Sequence, residues 1–96
     1  MHVITRKRLN EFASEYPDAT SALERWYRVM KARRVRNFAE LRELFPSADQ
    51  VANKTVFNIG GNKYRIITVL HYNRGRVYIR AILTHREYDK GNWKTS

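Results

Sequence analysis

The spacing of hydrophobic residues divides the chain into a helical half and a strand half. Residues 1–5 predict a short strand at an edge of a sheet. Three stretches with apolar residues at helical spacing follow, and in the first of them Leu9, Phe12, Ala13 and Tyr16 lie at i, i+3, i+4 and i+7. Beyond residue 53 the period becomes alternating, and residues 54–59, 63–72 and 76–84 predict three strands rich in β-branched and aromatic side chains.

Capping residues and a proline set the predicted ends of the first two helices. Thr5 is placed to cap the first helix, and Pro17 ends it. Either Asp18 or Ser21 can open the second helix. From Ser21, a Ser-x-x-Glu capping box would reach Glu24.

The third helix and the strand turns complete the predicted architecture. Asn37 with Glu40 begins the third helix, and Pro46 stops it. Tight turns at Gly60-Gly61 (or Gly61-Asn62) and at Arg74-Gly75 connect the strands. Helices followed by antiparallel strands predict an α+β two-layer sandwich.

The alternation of the three strands sorts their residues into two faces. Loops of two or four residues pair an odd with an even position, provided that no bulge interrupts a strand. The predicted core face comprises Phe57, Ile59, Tyr64, Ile66, Thr68, Leu70, Val77, Ile79, Ala81 and Leu83. The predicted opposite face is basic and comprises Lys54, Val56, Asn58, Lys63, Arg65, Ile67, Val69, His71, Arg76, Tyr78, Arg80 and Ile82.

Length and composition narrow the class of protein. The 96 residues fit one domain, residues 1–96. Without cysteine there is no disulfide framework, thiolate metal site or cysteine nucleophile. No His, Asp and Glu have the spacing of metal ligands, so we expect neither a metal nor a cofactor. No apolar run approaches the roughly 20 residues of a membrane span, so we expect a cytoplasmic protein with no membrane partner.

Positive charge is concentrated in the second half of the chain. The formal net charge is +10, from 19 Lys and Arg against 9 Asp and Glu. Residues 1–53 carry 10 basic and 7 acidic side chains, and residues 54–96 carry 9 basic and 2 acidic ones. An excess of this size in a small domain indicates a polyanionic partner, most often nucleic acid. Residues 54–96 are therefore predicted to form the surface that contacts nucleic acid.

Two blocks of sequence resemble a known family. Residues 57–65, Phe-Asn-Ile-Gly-Gly-Asn-Lys-Tyr-Arg, and residues 84–89, Thr-His-Arg-Glu-Tyr-Asp, are similar to the HigB group of toxins in the RelE/ParE-like superfamily. Residues 1–4 and 44–49 resemble the same group, so the resemblance spans about residues 1–93. It implies a RelE-like fold, with an N-terminal strand and two to three helices packed on an antiparallel sheet.

The resemblance also implies an activity and partners. Such toxins are small RNases that cleave messenger RNA, typically in the A site of the translating ribosome. The implied protein partner is a cognate HigA-type helix-turn-helix antitoxin that neutralises the toxin. Toxin and antitoxin would repress their own operon together, so that operator DNA is contacted only through the antitoxin complex.

Metal-independent RNA cleavage makes specific chemical demands. The 2′-hydroxyl attacks the adjacent phosphate in line and leaves a 2′,3′-cyclic phosphate. A base must accept the hydroxyl proton, an acid must protonate the departing 5′-oxygen, and cations must stabilise the added negative charge. Imidazole suits either proton transfer near neutral pH, and a guanidinium fork matches phosphate oxygens.

The RelE-like pattern implies particular site residues. It places an Arg on the middle strand, an Arg on the last strand, and a His or Tyr near the C-terminus, which Arg65, Arg80 and His85 match here. Tyr88 is a further catalytic candidate. If residues 85–88 form a helical turn, His85 and Tyr88 share one side, and if they are extended Tyr88 drops out. The predicted RNA-binding residues are Lys54, Lys63, Asn58, Tyr78 and Arg76.

Each assignment has a structural or functional alternative. His85 beside Thr84 can instead help to cap a C-terminal segment, and Arg65 and Arg80 can be cross-strand charges on a solvated face. Trp93 either covers an end of the core or stacks on a base. A ParE-like gyrase inhibitor of the same fold, and a basic nucleic-acid-binding module without catalysis, are the alternative functions. Which group is the base and which the acid stays open.

Overall fold

A single mixed sheet carries helices on one side. The computed structural model describes residues 1–95. Its elements are β1 (His2–Ile4), α1 (Arg6–Glu15), a 3₁₀ turn (Pro17–Ala19), α2 (Thr20–Ala32), α3 (Phe38–Leu44), β2 (Asp49–Val51), β3 (Lys54–Ile59), β4 (Tyr64–His71), β5 (Arg76–Thr84), α4 (His85–Lys90) and a second 3₁₀ turn (Asn92–Thr95). The strand order is β1-β5-β4-β3-β2. Only β1 pairs in parallel among the strands described here, and it lies at the predicted sheet edge beside β5. The α+β sandwich is confirmed.

The main core lies between the sheet and the first three helices. Trp26 of α2 is 1% exposed and makes an edge-on contact with Phe57, with 5.4 Å between the ring centroids. Phe45, directly after α3, approaches the same ring from 5.2 Å. Thr68, predicted as the polar member of this face, is fully buried, and its hydroxyl donates a hydrogen bond to the carbonyl of Thr55. Thr68 can therefore lie in an apolar layer, because its hydroxyl group has a hydrogen-bond acceptor.

The predicted helix ends agree with the structure, since α1 ends at Glu15 and α3 at Leu44, each two residues before a proline, but the predicted caps agree only in part. Thr5 directly precedes α1, as predicted, but its side chain makes no capping hydrogen bond, and its φ is a left-handed 73° where a capping residue is normally extended. The capping box at Ser21 is wrong, because the residue before α2 is Ala19 and Ser21 lies inside the helix. Asn37 is confirmed as the cap of α3, and its side chain accepts a hydrogen bond from the backbone N–H of Glu40 at 2.9 Å.

Strand β2 was not predicted from the sequence. Its three residues, Asp49–Val51, pair antiparallel with Val56, Thr55 and Lys54 of β3 and extend the sheet by one edge strand. The three longer strands agree with prediction within one residue at each end. A run of positive φ angles at Gly60, Gly61 and Asn62 makes the turn between β3 and β4, and glycine adopts that conformation at little steric cost.

A β-bulge changes the faces of β5. Ile67 pairs with Ala81 but its neighbour Thr68 pairs with Ile79, so Arg80 is an extra residue in β5. Residues beyond Arg80 consequently point to the opposite side from the one that uninterrupted alternation predicts.

The bulge corrects three predicted positions. Ala81 and Leu83, predicted in the main core, pack on the other side of the sheet. Ile82, predicted on the basic face, packs against the main core. We call the side away from α1, α2 and α3 the outer face.

The C-terminal segment covers part of the outer face. Trp93 is 6% exposed and packs with Val56 and Ile67 in a second hydrophobic cluster. Val51, Ala81, Leu83 and Tyr88 surround this cluster. Of the two alternatives for Trp93, the structure shows a covering role, because a ring this buried is not free to stack on a base. Among residues 1–95, no helix combines the length and apolar character needed to cross a bilayer.

Candidate nucleic-acid interface

Most of the predicted site residues lie on the outer face. Pairing across the strands places Asn58 beside Arg65 and His71 beside Arg76. Lys54, Tyr78 and Arg80 line a concavity on the same face.

Lys63 is an exception to the predicted basic face. It lies in the turn before β4, and its ammonium is 3.7 Å from a carboxylate oxygen of Asp18 in the Pro17–Ala19 turn. Its predicted place on the outer face is therefore wrong, and its role in RNA binding stays a prediction.

Arg65 is the most strongly positioned cation of the outer face. It is 8% exposed, and its Nη1 donates hydrogen bonds to the carbonyl oxygens of Asn62 at 2.8 Å and of Tyr64 at 3.2 Å. Its Cζ lies 5.0 Å from the centroid of the Tyr88 ring, within the range of a cation–π contact. These contacts orient a guanidinium that has five N–H donors in total.

The Arg65 side chain opens into a pocket. This concavity, which we call the Arg65 pocket, has a volume of about 320 Å³. Its lining residues are Arg42, Pro46, Ser47, Ala48, Asp49, Val56, Asn58, Arg65 and Tyr88. Sequence reasoning missed Arg42 and Asp49, because α3 and the unpredicted strand β2 bring them to the pocket through tertiary packing.

Helix α4 begins with reciprocal hydrogen bonds between the first residues of the helix and the residue before it. The side chain of Thr84 accepts a hydrogen bond from the backbone N–H of Glu87, and the backbone N–H of Thr84 donates to the Glu87 carboxylate. This reciprocal capping box starts a helix at His85. The helical alternative for residues 85–88 therefore holds, and His85 and Tyr88 are one turn apart.

His85 and Tyr88 nevertheless have different surroundings. Within residues 1–95, Tyr88 but not His85 contributes to the wall of the Arg65 pocket. The His85 side chain is 57% exposed, with Nδ1 3.4 Å from a carboxylate oxygen of Asp89. The backbone N–H of His85 donates to the carbonyl of Lys63 at 3.0 Å, which fixes the start of α4 beside the β3–β4 turn.

A second concavity lies toward the other end of the strands. This Lys54 pocket has a volume of about 310 Å³ and is lined by Asn53, Lys54, Val69, His71, Tyr78 and Arg80. The rings of His71 and Tyr78 meet edge to face, with 5.1 Å between their centroids. Arg80 belongs to this pocket and not to the Arg65 pocket, so the structure separates two of the predicted catalytic residues.

One ionisable group near the β3–β4 turn has a shifted pKa. The Tyr64 hydroxyl donates a hydrogen bond to Asp18 at 2.7 Å. That bond, followed by burial and the negative charge of Asp18, raises the pKa of Tyr64 to about 12. Among residues 1–95, no three His, Cys, Asp or Glu side chains are grouped so as to hold a metal ion.

Comparisons with known proteins identify the family of this chain. A profile of the HigB toxin family, described as the RelE-like toxic component of a toxin–antitoxin system, matches residues 19–91. The mRNA interferase toxin HigB of Escherichia coli K12 is 33% identical over 92 residues, which cover 93% of this chain and 88% of that relative. The mRNA interferase HigB of Shigella flexneri has the same identity and coverage. That of Escherichia coli O6:H1 strain CFT073 is 33% identical over 93 residues, 94% of this chain and 90% of the relative. Because these matches extend along nearly the whole sequence, the chain belongs to the HigB family of RelE-like toxins, the toxic components of toxin–antitoxin systems.

Proposed function

We propose that this protein is a metal-independent endoribonuclease that cleaves messenger RNA at the Arg65 pocket. The observation that carries the proposal is the position of Arg65, a buried guanidinium held by two backbone carbonyls and by Tyr88 at the wall of an open pocket. A cation fixed before substrate binds stabilises developing negative charge without reorganising during the reaction. The names of the curated relatives, mRNA interferases, support messenger RNA as the substrate.

The proposed reaction is a transesterification at phosphorus. The 2′-oxygen of one ribose forms a bond to the adjacent phosphorus while the bond from phosphorus to the 5′-oxygen breaks. A base removes the 2′-hydroxyl proton, and an acid delivers a proton to the departing 5′-oxygen. The products are a 2′,3′-cyclic phosphate and a 5′-hydroxyl. Arg65 binds the phosphate oxygens, and Asn58 offers an amide to the same phosphate. Tyr88, in the pocket wall, supplies one proton transfer. His85, one helical turn away and outside the pocket wall, supplies the other when the RNA backbone extends past Tyr88.

The proposal includes the partners of the toxin. We propose that messenger RNA is cut in the ribosomal A site and that a HigA-type helix-turn-helix antitoxin neutralises the protein. Contact with operator DNA would run through that antitoxin complex. The family description, a toxic component of a toxin–antitoxin system, supports the antitoxin partner. The net charge of +10 supports association with RNA and ribosomes.

The proposal is tested by mapping RNA ends after induction in cells and by incubating purified protein with messenger RNA, with and without translating ribosomes. We expect discrete cuts whose 5′ ends carry a hydroxyl and whose 3′ ends carry a cyclic phosphate. Arg65→Ala should lower cleavage at least about 10²-fold. Arg74→Gln is the matched control, because it removes one positive charge from the exposed β4–β5 turn and should cut normally.

Three results would contradict the proposal in different ways. Full cleavage by Arg65→Ala would place the reaction elsewhere. Intact messenger RNA together with broken chromosomal DNA would indicate a gyrase inhibitor. RNA binding without cleavage would indicate a binding module.

A further inference from the structure

The Lys54 pocket has two cations and no ion pair. Lys54 is 5% exposed as a whole residue and lines the pocket. Arg80, an exposed cation, lines the same pocket. The three ion pairs found within residues 1–95 all involve other residues. Two positive groups without a protein counter-anion favour an anionic ligand.

The same pocket also has an aromatic wall. His71 and Tyr78 contact each other edge to face, and Tyr78 is only half-buried, so part of its ring surface is open to the pocket. Aromatic side chains beside cations are the usual combination in sites for single-stranded nucleic acid, where bases stack on rings and phosphates bind Lys or Arg. A volume of about 310 Å³ is at the lower end of the range of small-ligand sites.

Alternation in β5 places Arg80 beside Tyr78. Residues two apart in a strand share a face, so Tyr78 and Arg80 both lie on the outer face. Arg80 is also the extra residue between Ile79 and Ala81, and bulges are common next to functional sites.

We propose that the Lys54 pocket binds one nucleotide of the substrate RNA that flanks the nucleotide held at Arg65. Lys54 and Arg80 bind its phosphate, and Tyr78 with His71 stacks against its base. This inference rests on the proposed function, since it assigns a second part of the same RNA strand. The four residue-to-residue steps from Lys54 to Asn58 span about 13 Å along β3, so the RNA strand would cross the outer face between the two pockets.

The binding test uses a noncleavable probe. A fluorescently labelled 12-nucleotide RNA with 2′-O-methyl groups is titrated with each variant, and binding is followed by fluorescence anisotropy at fixed salt. We expect Tyr78→Leu to weaken binding about tenfold, and Tyr78→Phe to bind like wild type because it retains the ring. Arg80→Gln and Lys54→Met should weaken binding more than the charge-matched control Arg74→Gln. An abasic probe of the same length should make Tyr78→Leu indistinguishable from wild type.

The outcomes separate this inference from the proposed function. Equal affinity of Tyr78→Leu and wild type for the intact probe overturns the stacking subsite, as does failure of wild type to bind the probe. A loss for Arg80→Gln no larger than that for Arg74→Gln overturns the phosphate contact. Cleavage is measured in parallel: we expect Tyr78→Leu to change the preferred base beside the cut and to retain cyclic-phosphate products. If wild type cleaves no RNA, the proposed function fails, whatever the anisotropy shows. Unfolding curves identify any variant that does not fold, and Tyr78→Phe then decides the role of the ring.

Discussion

The guanidinium of Arg65 lies over the ring of Tyr88, 5.0 Å from its centroid, and thereby joins the middle strand to the C-terminal helix. Tyr88 also stacks on Trp93, with 5.0 Å between centroids and 15° between ring planes. The position of the proposed phosphate-binding cation thus depends on aromatic residues that follow the sheet in sequence.

Tyr88→Phe tests whether the tyrosine hydroxyl takes part in cleavage. The phenylalanine ring preserves both aromatic contacts, so we expect the free energy of unfolding to stay within about 0.5 kcal/mol of wild type. Loss of a proton-transferring group should lower the cleavage rate by about 10²-fold. The rate is measured by single-turnover cleavage, and stability by urea denaturation. Wild-type cleavage by Tyr88→Phe would show that Tyr88 only positions Arg65.

Trp93→Ala tests the second hydrophobic cluster. The ring is 6% exposed, packs on Val56 and Ile67, and donates an Nε1–H hydrogen bond to the Tyr88 carbonyl at 2.9 Å. We expect the free energy of unfolding to fall by about 3–5 kcal/mol, because a large buried side chain leaves a cavity. Trp93→Phe should lose less. A change below about 1 kcal/mol for Trp93→Ala in urea denaturation would show that the C-terminal segment contributes little to the fold.

Ionisation of Tyr64 should destabilise the protein at high pH. Its pKa in the folded protein is about 12, above the ordinary value of 10.0, because the protonated hydroxyl donates to Asp18. The folded state therefore retains this proton more tightly than the unfolded state. The resulting stabilisation is complete below pH 10 and is lost as the pH rises from 10 toward 12.

Comparison with Tyr64→Phe isolates that contribution. We expect the difference in unfolding free energy between wild type and Tyr64→Phe to be constant up to about pH 9 and to shrink at higher pH. Absorbance at alkaline pH should also show a late-ionising tyrosine in the wild type that is missing from Tyr64→Phe. A difference that stays constant up to pH 12 would contradict the raised pKa.

Gly75→Ala tests the contact between the β4–β5 turn and Arg34. An added Cβ at Gly75 would lie 2.5 Å from Arg34 Nη1, and Arg34 Nη2 donates hydrogen bonds to the carbonyls of Tyr72 and Asn73. We expect a loss of more than about 1 kcal/mol in unfolding free energy, because the φ is +66° and because the guanidinium must move away and lose these two hydrogen bonds.

Gly61→Ala is the matched control for this substitution. Gly61 has a similar φ of +62°, but an added Cβ there meets no heavy atom of the described chain within 4 Å. Gly75→Ala should therefore be the more destabilising of the two in thermal or urea unfolding. Removing the Arg34 side chain in a double variant should bring the two losses closer together. Equal losses in the single variants would contradict a collision at Arg34.

Much of the fold was predictable because its signals are local. The change from helical to alternating period, the glycines of the β3–β4 turn and the Asn37 cap each act within a few residues, and each agrees with the structure. Strand β2 was not predicted because a segment of three residues shows no clear alternation. Its extended conformation depends on its pairing with β3. The side-chain cap at Thr5 failed because that residue has a left-handed backbone, and the cap at Ser21 failed because the Pro17–Ala19 turn leads directly into α2 at Thr20.

The candidate site was predictable only in part. The alternation of β3 and β4 correctly placed Asn58 and Arg65 on the outer face. The bulge at Arg80 has no local sequence signature here, so the second half of β5 was assigned to the wrong faces. The division of the outer face into two pockets follows from the packing of Tyr88 and Trp93 onto it, which depends on contacts between residues far apart in sequence.

The extra residue at Arg80 divides β5 into two halves with opposite alternation. Val77 and Ile79 before it and Ile82 after it point toward the helices, whereas Ala81 and Leu83 lie beneath the C-terminal aromatic residues. Because Ile79 and Ala81 pair with the consecutive residues Thr68 and Ile67, deleting Arg80 would leave a regular strand with both groups on their present sides. A change of length at this one position is therefore compatible with the fold, and its main consequence is loss of the Arg80 cation from the Lys54 pocket.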